Sequence, residues 1–155
     1  MPKPLYFTIC SANYLAYAIT LGRSLVEADP DARFVVYLAD EGLSEEDRGR
    51  IGFEVVEACE LAVPSFADMA LRYSIMEFNT AIKAACLEHA FDRLGADAAV
   101  YLDPDILVLK PLEHVEQALA EGAELVLTPH ALAPLDDGAD PDDVRLMRTG
   151  VYNLG

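Results

Sequence analysis

Between Ala98 and Leu112 the chain reads Ala-Ala-Val-Tyr-Leu-Asp-Pro-Asp-Ile-Leu-Val-Leu-Lys-Pro-Leu. An apolar, β-prone run, Ala98–Leu102, delivers two carboxylates, Asp103 and Asp105, before the sequence turns apolar again over Ile106–Leu109. A parallel strand buried on both faces is nearly all apolar, and acids are seldom fully buried without a partner. The strand is therefore predicted to end at Asp103, with both carboxylates at its C-terminal edge. In open α/β sheets that edge is where ligands bind. Residues i and i+2 of an extended segment point the same way, so the two acids are expected to approach one cation. A hard divalent ion takes carboxylate oxygens and shares its other positions with phosphate. The expectation is a metal-bridged phosphate site.

The tripeptide itself is weak evidence. The chain has 14 Asp, and Asp-Pro-Asp recurs at Asp29–Asp31 and Asp140–Asp142. Those two copies sit between periodic segments, where Pro and Asp are ordinary turn formers. Only the copy at Asp103 follows an apolar strand directly.

Net charge decides which partners are compatible. With 11 Lys+Arg against 27 Asp+Glu, the chain carries −16. A nucleic acid needs a basic surface, so nucleic-acid binding is disfavoured. The same surplus repels a small anion unless a metal or a local cation neutralises it. No apolar run is long enough to span a bilayer. Met1-Pro-Lys-Pro leads into a short strand and not into a secretory signal, so a cytoplasmic location is expected. Cys10, Cys59 and Cys86 lie in apolar segments without a CxxC pair, as expected of buried free thiols in a reducing compartment.

Periodicity sets the order of elements. Leu5–Cys10 reads as a strand and Tyr14–Glu27 as a helix, with Ser11 and Asn13 as N-cap candidates in the turn between them. Arg33–Leu38 is a second strand, Ser44–Asp47 a capping-box-like helix start, and Phe53–Ala58 a third strand. Alternation of this kind opens a doubly wound sheet. The first turn lacks GxGxxG and no GxxxxGK[ST] occurs, which disfavours Rossmann dinucleotide and P-loop binding.

Phe66–Tyr73 is read as a short helix, and Met76–Leu94 as the longest helix, stopped by Gly95. Its core face is Phe78, Ile82, Ala85, Cys86 and His89. Asn79 and Lys83 lie four apart, one turn from each other on one side. Lys83 is the one Lys or Arg between Arg72 and Arg93, and a solvated helix lysine is the plain alternative for it. Leu112–Glu121 is an amphipathic helix, Glu124–Thr128 a strand, and Pro129–Asp143 a long loop of the length at which loops are functional or mobile. Arg145–Gly155 closes on Thr-Gly-Val-Tyr-Asn-Leu-Gly, which looks like a strand cut off in mid-run.

Four segments in order carry a resemblance: Phe7–Tyr14 through Leu21–Leu25, Asn79–Lys83, Tyr101-Leu-Asp-Pro-Asp-Ile-Leu-Val-Leu109, and Gly150–Gly155. Together they resemble the nucleotide-binding part of metal-dependent GT-A glycosyltransferases, of the retaining, family-eight-like kind that includes glycogenin and bacterial galactosyltransferases. The resemblance implies an α/β fold with a Rossmann-like, mostly parallel sheet and helices on both faces. It implies transfer of a hexose from a nucleotide-diphosphate sugar, with UDP-sugar the expected donor, to an unknown acceptor.

Carried over by position, Thr8, Ser11 and Tyr14 match residues that line a nucleobase pocket, and Asn79 falls on the same matched helix segment. Lys83 matches a lysine reaching the phosphates or sugar. Asp103 and Asp105 match the DxD pair that holds Mn2+ or Mg2+ against the diphosphate, with Asp103 also near the ribose. Asn153 matches an Asn near the donor sugar, and Pro104 stands where the family more often has Ala or Ser.

A third metal ligand, a His in a later HxxGxxK-type segment, has no counterpart here. Residues 1–155 are accordingly expected to form one nucleotide-sugar-binding domain that is incomplete at its C-terminus. His89 and His114 are expected to be structural, while His130 follows the Thr128 strand without a matching motif. Two rival readings stand beside this one. A haloacid-dehalogenase-type phosphotransferase would use Asp103 as nucleophile and Asp105 as acid/base, but it wants Thr or Val where Leu107 stands. The other is a non-catalytic module of the same fold.

Overall fold

The computed structural model describes residues 3–133, 142–148 and 150–153. The chain divides into two compact units, one up to Glu116 and one from Gln117 onward. The first holds a four-stranded, wholly parallel sheet built from β1 (Leu5–Cys10), β2 (Arg33–Leu38), β3 (Glu54–Glu57) and β4 (Ala99–Tyr101), in the order β3-β2-β1-β4. β1 is apolar except for Thr8 and buried at every position, as a central parallel strand must be. The β4 ladder reaches past its ends, with Leu5 N–H donating to the Ala98 carbonyl and Leu102 N–H to that of Phe7.

Alternation along β1 sorts the core into two layers. Leu5, Phe7 and Ile9 pack with Phe78, Ile82, Cys86 and Ala90, which come from α4 (Ile75–Ala81), Ile82 itself, and α5 (Lys83–Asp92). Tyr6 and Cys10 pack with Ala18, Leu21 and Leu25 of α1 (Leu15–Ala28) and with Ile51 of α2 (Glu45–Ile51). Helices therefore cover both faces. α1 approaches β2 closely at Gly22, where an added Cβ would lie 2.6 Å from the Phe34 ring.

Several local expectations are corrected. The helix expected over Met76–Leu94 starts at Ile75, because Ser74 and Glu77 form a reciprocal capping box. It is interrupted at Ile82, although Ile82 N–H still donates to Phe78 and Cys86 N–H to Ile82. Neither Ser11 nor Asn13 caps α1 through its side chain. A 310 turn over Ala12–Tyr14 intervenes, and the Ala12 N–H is taken by the Asp40 carboxylate at 2.5 Å. Cys59 is exposed, unlike buried Cys10 and Cys86, because a second 310 turn, Ala58–Glu60, carries it out of the sheet. α3 (Phe66–Arg72) forms close to its expected place.

α6 (Glu113–Ala120) follows the acidic segment, and Glu116 accepts a hydrogen bond from the buried Tyr6 hydroxyl at 2.9 Å. In the second unit, β5 (Thr128–Pro129) pairs antiparallel with β6 (Tyr152–Asn153), and α7 (Asp143–Arg148) lies between them in sequence. Among the described residues, β5 takes in only the last residue of the strand expected over Glu124–Thr128, extended by Pro129, and Leu125 is 73% exposed. Residues 134–141 of the expected loop lie outside the described residues, as do Leu154 and Gly155.

Of the two other Asp-Pro-Asp copies, the first is a turn tied down by the Lys3–Asp29 ion pair and by Ala32 N–H donating to the Asp29 carbonyl. In the last copy Asp140 lies outside the described residues, while the Asp142 carboxylate accepts from Arg145 N–H at 2.8 Å at the start of α7.

Candidate functional site

β1 runs on into α1 on one face of the sheet, whereas β4 is reached from α5 on the other. Order β3-β2-β1-β4 therefore places a topological switch point between β1 and β4, and the crevice beyond their C-terminal ends is where such sheets receive ligands. The sequence fills this place with Ser11 after β1 and Asp103–Asp105 after β4.

Odd-numbered β1 residues face α4 and α5, and Ser11 continues that alternation. The hydroxyl of this buried residue accepts a hydrogen bond from Asn79 Nδ2 at 3.4 Å. Asn79 Oδ1 is buried and has no hydrogen-bond partner among the described residues. These two side chains come together from positions 68 apart in sequence.

One turn further along, Lys83 opens α5. Its ammonium lies 3.8 Å from the centroid of the Tyr101 ring, a cation–π contact of about 0.5–2 kcal/mol. Burial lowers the Lys83 pKa, and the Asp103 charge works against that shift. The Tyr101 hydroxyl donates to Asp103 Oδ1 at 2.8 Å. Burial and the Asp103 carboxylate both raise the Tyr101 pKa far above its ordinary 10.0, so the phenol keeps its proton and acts as donor at neutral pH. The Tyr101 ring is itself braced by Phe7, with centroids 5.5 Å apart.

Asp103 and Asp105 do not continue an extended strand. Ile106 N–H donates to the Asp103 carbonyl at 3.1 Å, closing a four-residue turn with Pro104 in its second position. Proline pre-sets the φ that position requires, and Asp favours the first. Asp103 is half-buried against Tyr101 and Asp105 is exposed. The pair offers only carboxylate oxygens, the donor chemistry of hard cations such as Mg2+ and Mn2+. Among the described residues no group of three or more His, Cys, Asp or Glu side chains converges. A cation held here would combine these carboxylates with phosphate and water oxygens, the habit of Mg2+, so the residues fit such an ion.

The remaining expected site residues are placed differently. Thr8 is fully buried, and alternation turns it toward α1 with Tyr6 and Cys10, away from Asn79 and Lys83. Its hydroxyl has no partner among the described residues. Tyr14 is 45% exposed and packs obliquely on Tyr17, with centroids 5.3 Å apart. Asn153 is an exposed residue of β6 in the second unit, where it pairs with Thr128.

As for the histidines, His89 Nδ1 lies 3.1 Å from the buried Tyr37 hydroxyl. His114 is exposed on α6, and His130 Nδ1 donates to the Gly150 carbonyl at 2.8 Å within the second unit. Sequence reasoning gave Tyr101 no role. The signal was available, since Tyr101 stands two residues before Asp103 and shares its side of the strand.

No protein-family model matches the chain, and no curated protein matches it. Among solved structures it is similar to an active-site mutant of LgtC, at 22% identity over 71% of this chain and 40% of that one, with a TM-score of 0.43. It is also similar to the galactosyltransferase LgtC in complex with donor and acceptor sugar analogues, at 24% identity over 71% of this chain and 41% of that one, with a TM-score of 0.41. The match thus spans about 40% of the length of these structures.

Proposed function

We propose that this chain is the nucleotide-sugar-binding part of a GT-A glycosyltransferase, acting on a UDP-sugar through a divalent cation held by Asp103 and Asp105. The observation that carries this reading is the Lys83–Tyr101–Asp103 cluster at the switch point of a parallel sheet. A lone carboxylate pair repels a diphosphate. A cation on that pair, with the Lys83 ammonium beside it, makes the same edge attractive to one.

In sugar transfer the glycosidic C–O bond breaks and negative charge grows on the departing diphosphate. A bound Mn2+ or Mg2+ supplies Lewis-acid stabilisation of that charge. Within this chain, Lys83 adds a fixed positive charge, and Asn79 with Ser11 offers polar groups to the nucleoside. The single domain spanning 1–155, the cytoplasmic location and the sugar-facing role of Asn153 belong to the same proposal. The acceptor is left open. Among the described residues no helix is long and apolar enough to cross a membrane.

Calorimetry with UDP-sugars, with and without Mn2+, tests the reading. Metal-dependent binding should be present in the wild type and lost in Asp103→Ala and in Asp105→Ala. Equal binding by all three proteins would overturn the role given to the acidic pair.

A further inference from the structure

We propose that Tyr101 is a positioning residue whose ring seats the Lys83 ammonium and whose hydroxyl orients the Asp103 carboxylate, so that one side chain aligns both charges toward the diphosphate. The inference rests on the nucleotide-sugar reading and adds to it a residue to which nothing else assigns a role.

Two contacts on opposite parts of one side chain carry it. The Lys83 ammonium lies over the ring face at 3.8 Å, and the phenol donates to Asp103 Oδ1 at 2.8 Å. The ring cannot drift, because Phe7 braces it and the Phe7 ring is in turn set at 90° to Tyr37 in the core. An aromatic face attracts an ammonium through its quadrupole without neutralising it. A phenol donor likewise fixes one oxygen of a carboxylate while leaving its charge intact. Groups that orient a metal-binding carboxylate in this way commonly control metal affinity as strongly as some ligands do.

The two contacts can be separated by substitution. Tyr101→Phe keeps the ring under Lys83 and against Phe7 but deletes the donor to Asp103. Tyr101→Leu deletes both. Mn2+ binding alone, followed by electron paramagnetic resonance, reads the Asp103 side. UDP binding at saturating Mn2+, followed by calorimetry, reads the Lys83 side.

Tyr101→Phe should weaken Mn2+ binding roughly tenfold while changing UDP binding less than twofold. Tyr101→Leu should weaken both. The Phe variant carries the test by itself if the Leu variant fails to fold. Unchanged Mn2+ affinity in Tyr101→Phe, or equal loss of both affinities in it, would overturn the positioning role, since a merely structural tyrosine would not split the two readouts. Wild-type protein that binds neither Mn2+ nor UDP would instead overturn the nucleotide-sugar reading and this inference with it.

Discussion

The Ser24 hydroxyl of α1 accepts a hydrogen bond from the Val108 N–H at 3.0 Å and donates one to the Leu21 carbonyl at 2.8 Å. Both residues are buried and lie 84 apart in sequence. Val108 itself packs into the α1 layer of the core. The segment leaving the Asp103–Asp105 turn is thereby pinned to the helix that follows β1, so the two margins of the crevice are tied together beneath the candidate site.

Ser24→Ala should test that tie. It leaves the Val108 N–H buried without its acceptor, which costs about 1–3 kcal/mol. Urea denaturation should show a loss of that size. A variant as stable as wild type would mean that the Val108 N–H finds another acceptor and that the tie is dispensable.

Thr8 should behave in the opposite way. Its fully buried hydroxyl has no partner among the described residues, so it forfeits hydration without recovering a hydrogen bond. Thr8→Val replaces the hydroxyl with a methyl group of similar shape and should raise stability by about 1 kcal/mol. Because Thr8 faces α1, the same variant should leave UDP affinity unchanged. A drop in UDP affinity, measured by calorimetry, would support the nucleobase-pocket role that the family resemblance implies for Thr8.

What could be read from the sequence follows from how locally each feature is determined. β1 and β2 have their expected bounds, and α6 lies within one residue of its expected bounds at each end, because burial on both faces or on one stripe leaves its period in the residue pattern. The acidic pair was legible as polar residues ending an apolar strand. Its conformation was not, because Pro104 makes a turn where continuation of the strand would have been extended.

At Glu124–Thr128 the described ladder pairs Thr128 and Pro129 with Asn153 and Tyr152, and the residues that continue the partner strand lie outside the described residues. Ser11 and Asn79, or Ser24 and Val108, meet through the fold of the whole sheet, which no local pattern encodes. The capping box at Ser74–Glu77 was different again: its Ser-x-x-Glu signature stands in the sequence and predicts the start of α4.

Acid sensitivity should trace in part to Glu57, a buried carboxylate at the end of β3. Burial by itself would raise its pKa. Against that stand hydrogen bonds from Gly42 N–H at 2.9 Å and Leu43 N–H at 3.0 Å, together with the Arg48 guanidinium at 2.6 Å. These outweigh burial, and the Glu57 pKa is lowered from its ordinary 4.5. A carboxylate whose pKa is depressed by folding contributes stability that is fully present above its unfolded value and lost as pH falls through the folded value. Glu57→Gln keeps the shape but gives up the charge, so it should cost about 2 kcal/mol near neutral pH, where charge-assisted hydrogen bonds have their full strength. The gap between wild type and variant should then narrow as pH drops below 4.5, because the wild-type carboxylate becomes neutral as well. Urea midpoints taken from about pH 7 down to about pH 3 would show this convergence. Parallel curves across the whole range would mean that Arg48 and the Asp40–Leu43 loop are held by other groups, and that the Glu57 charge is incidental to the fold.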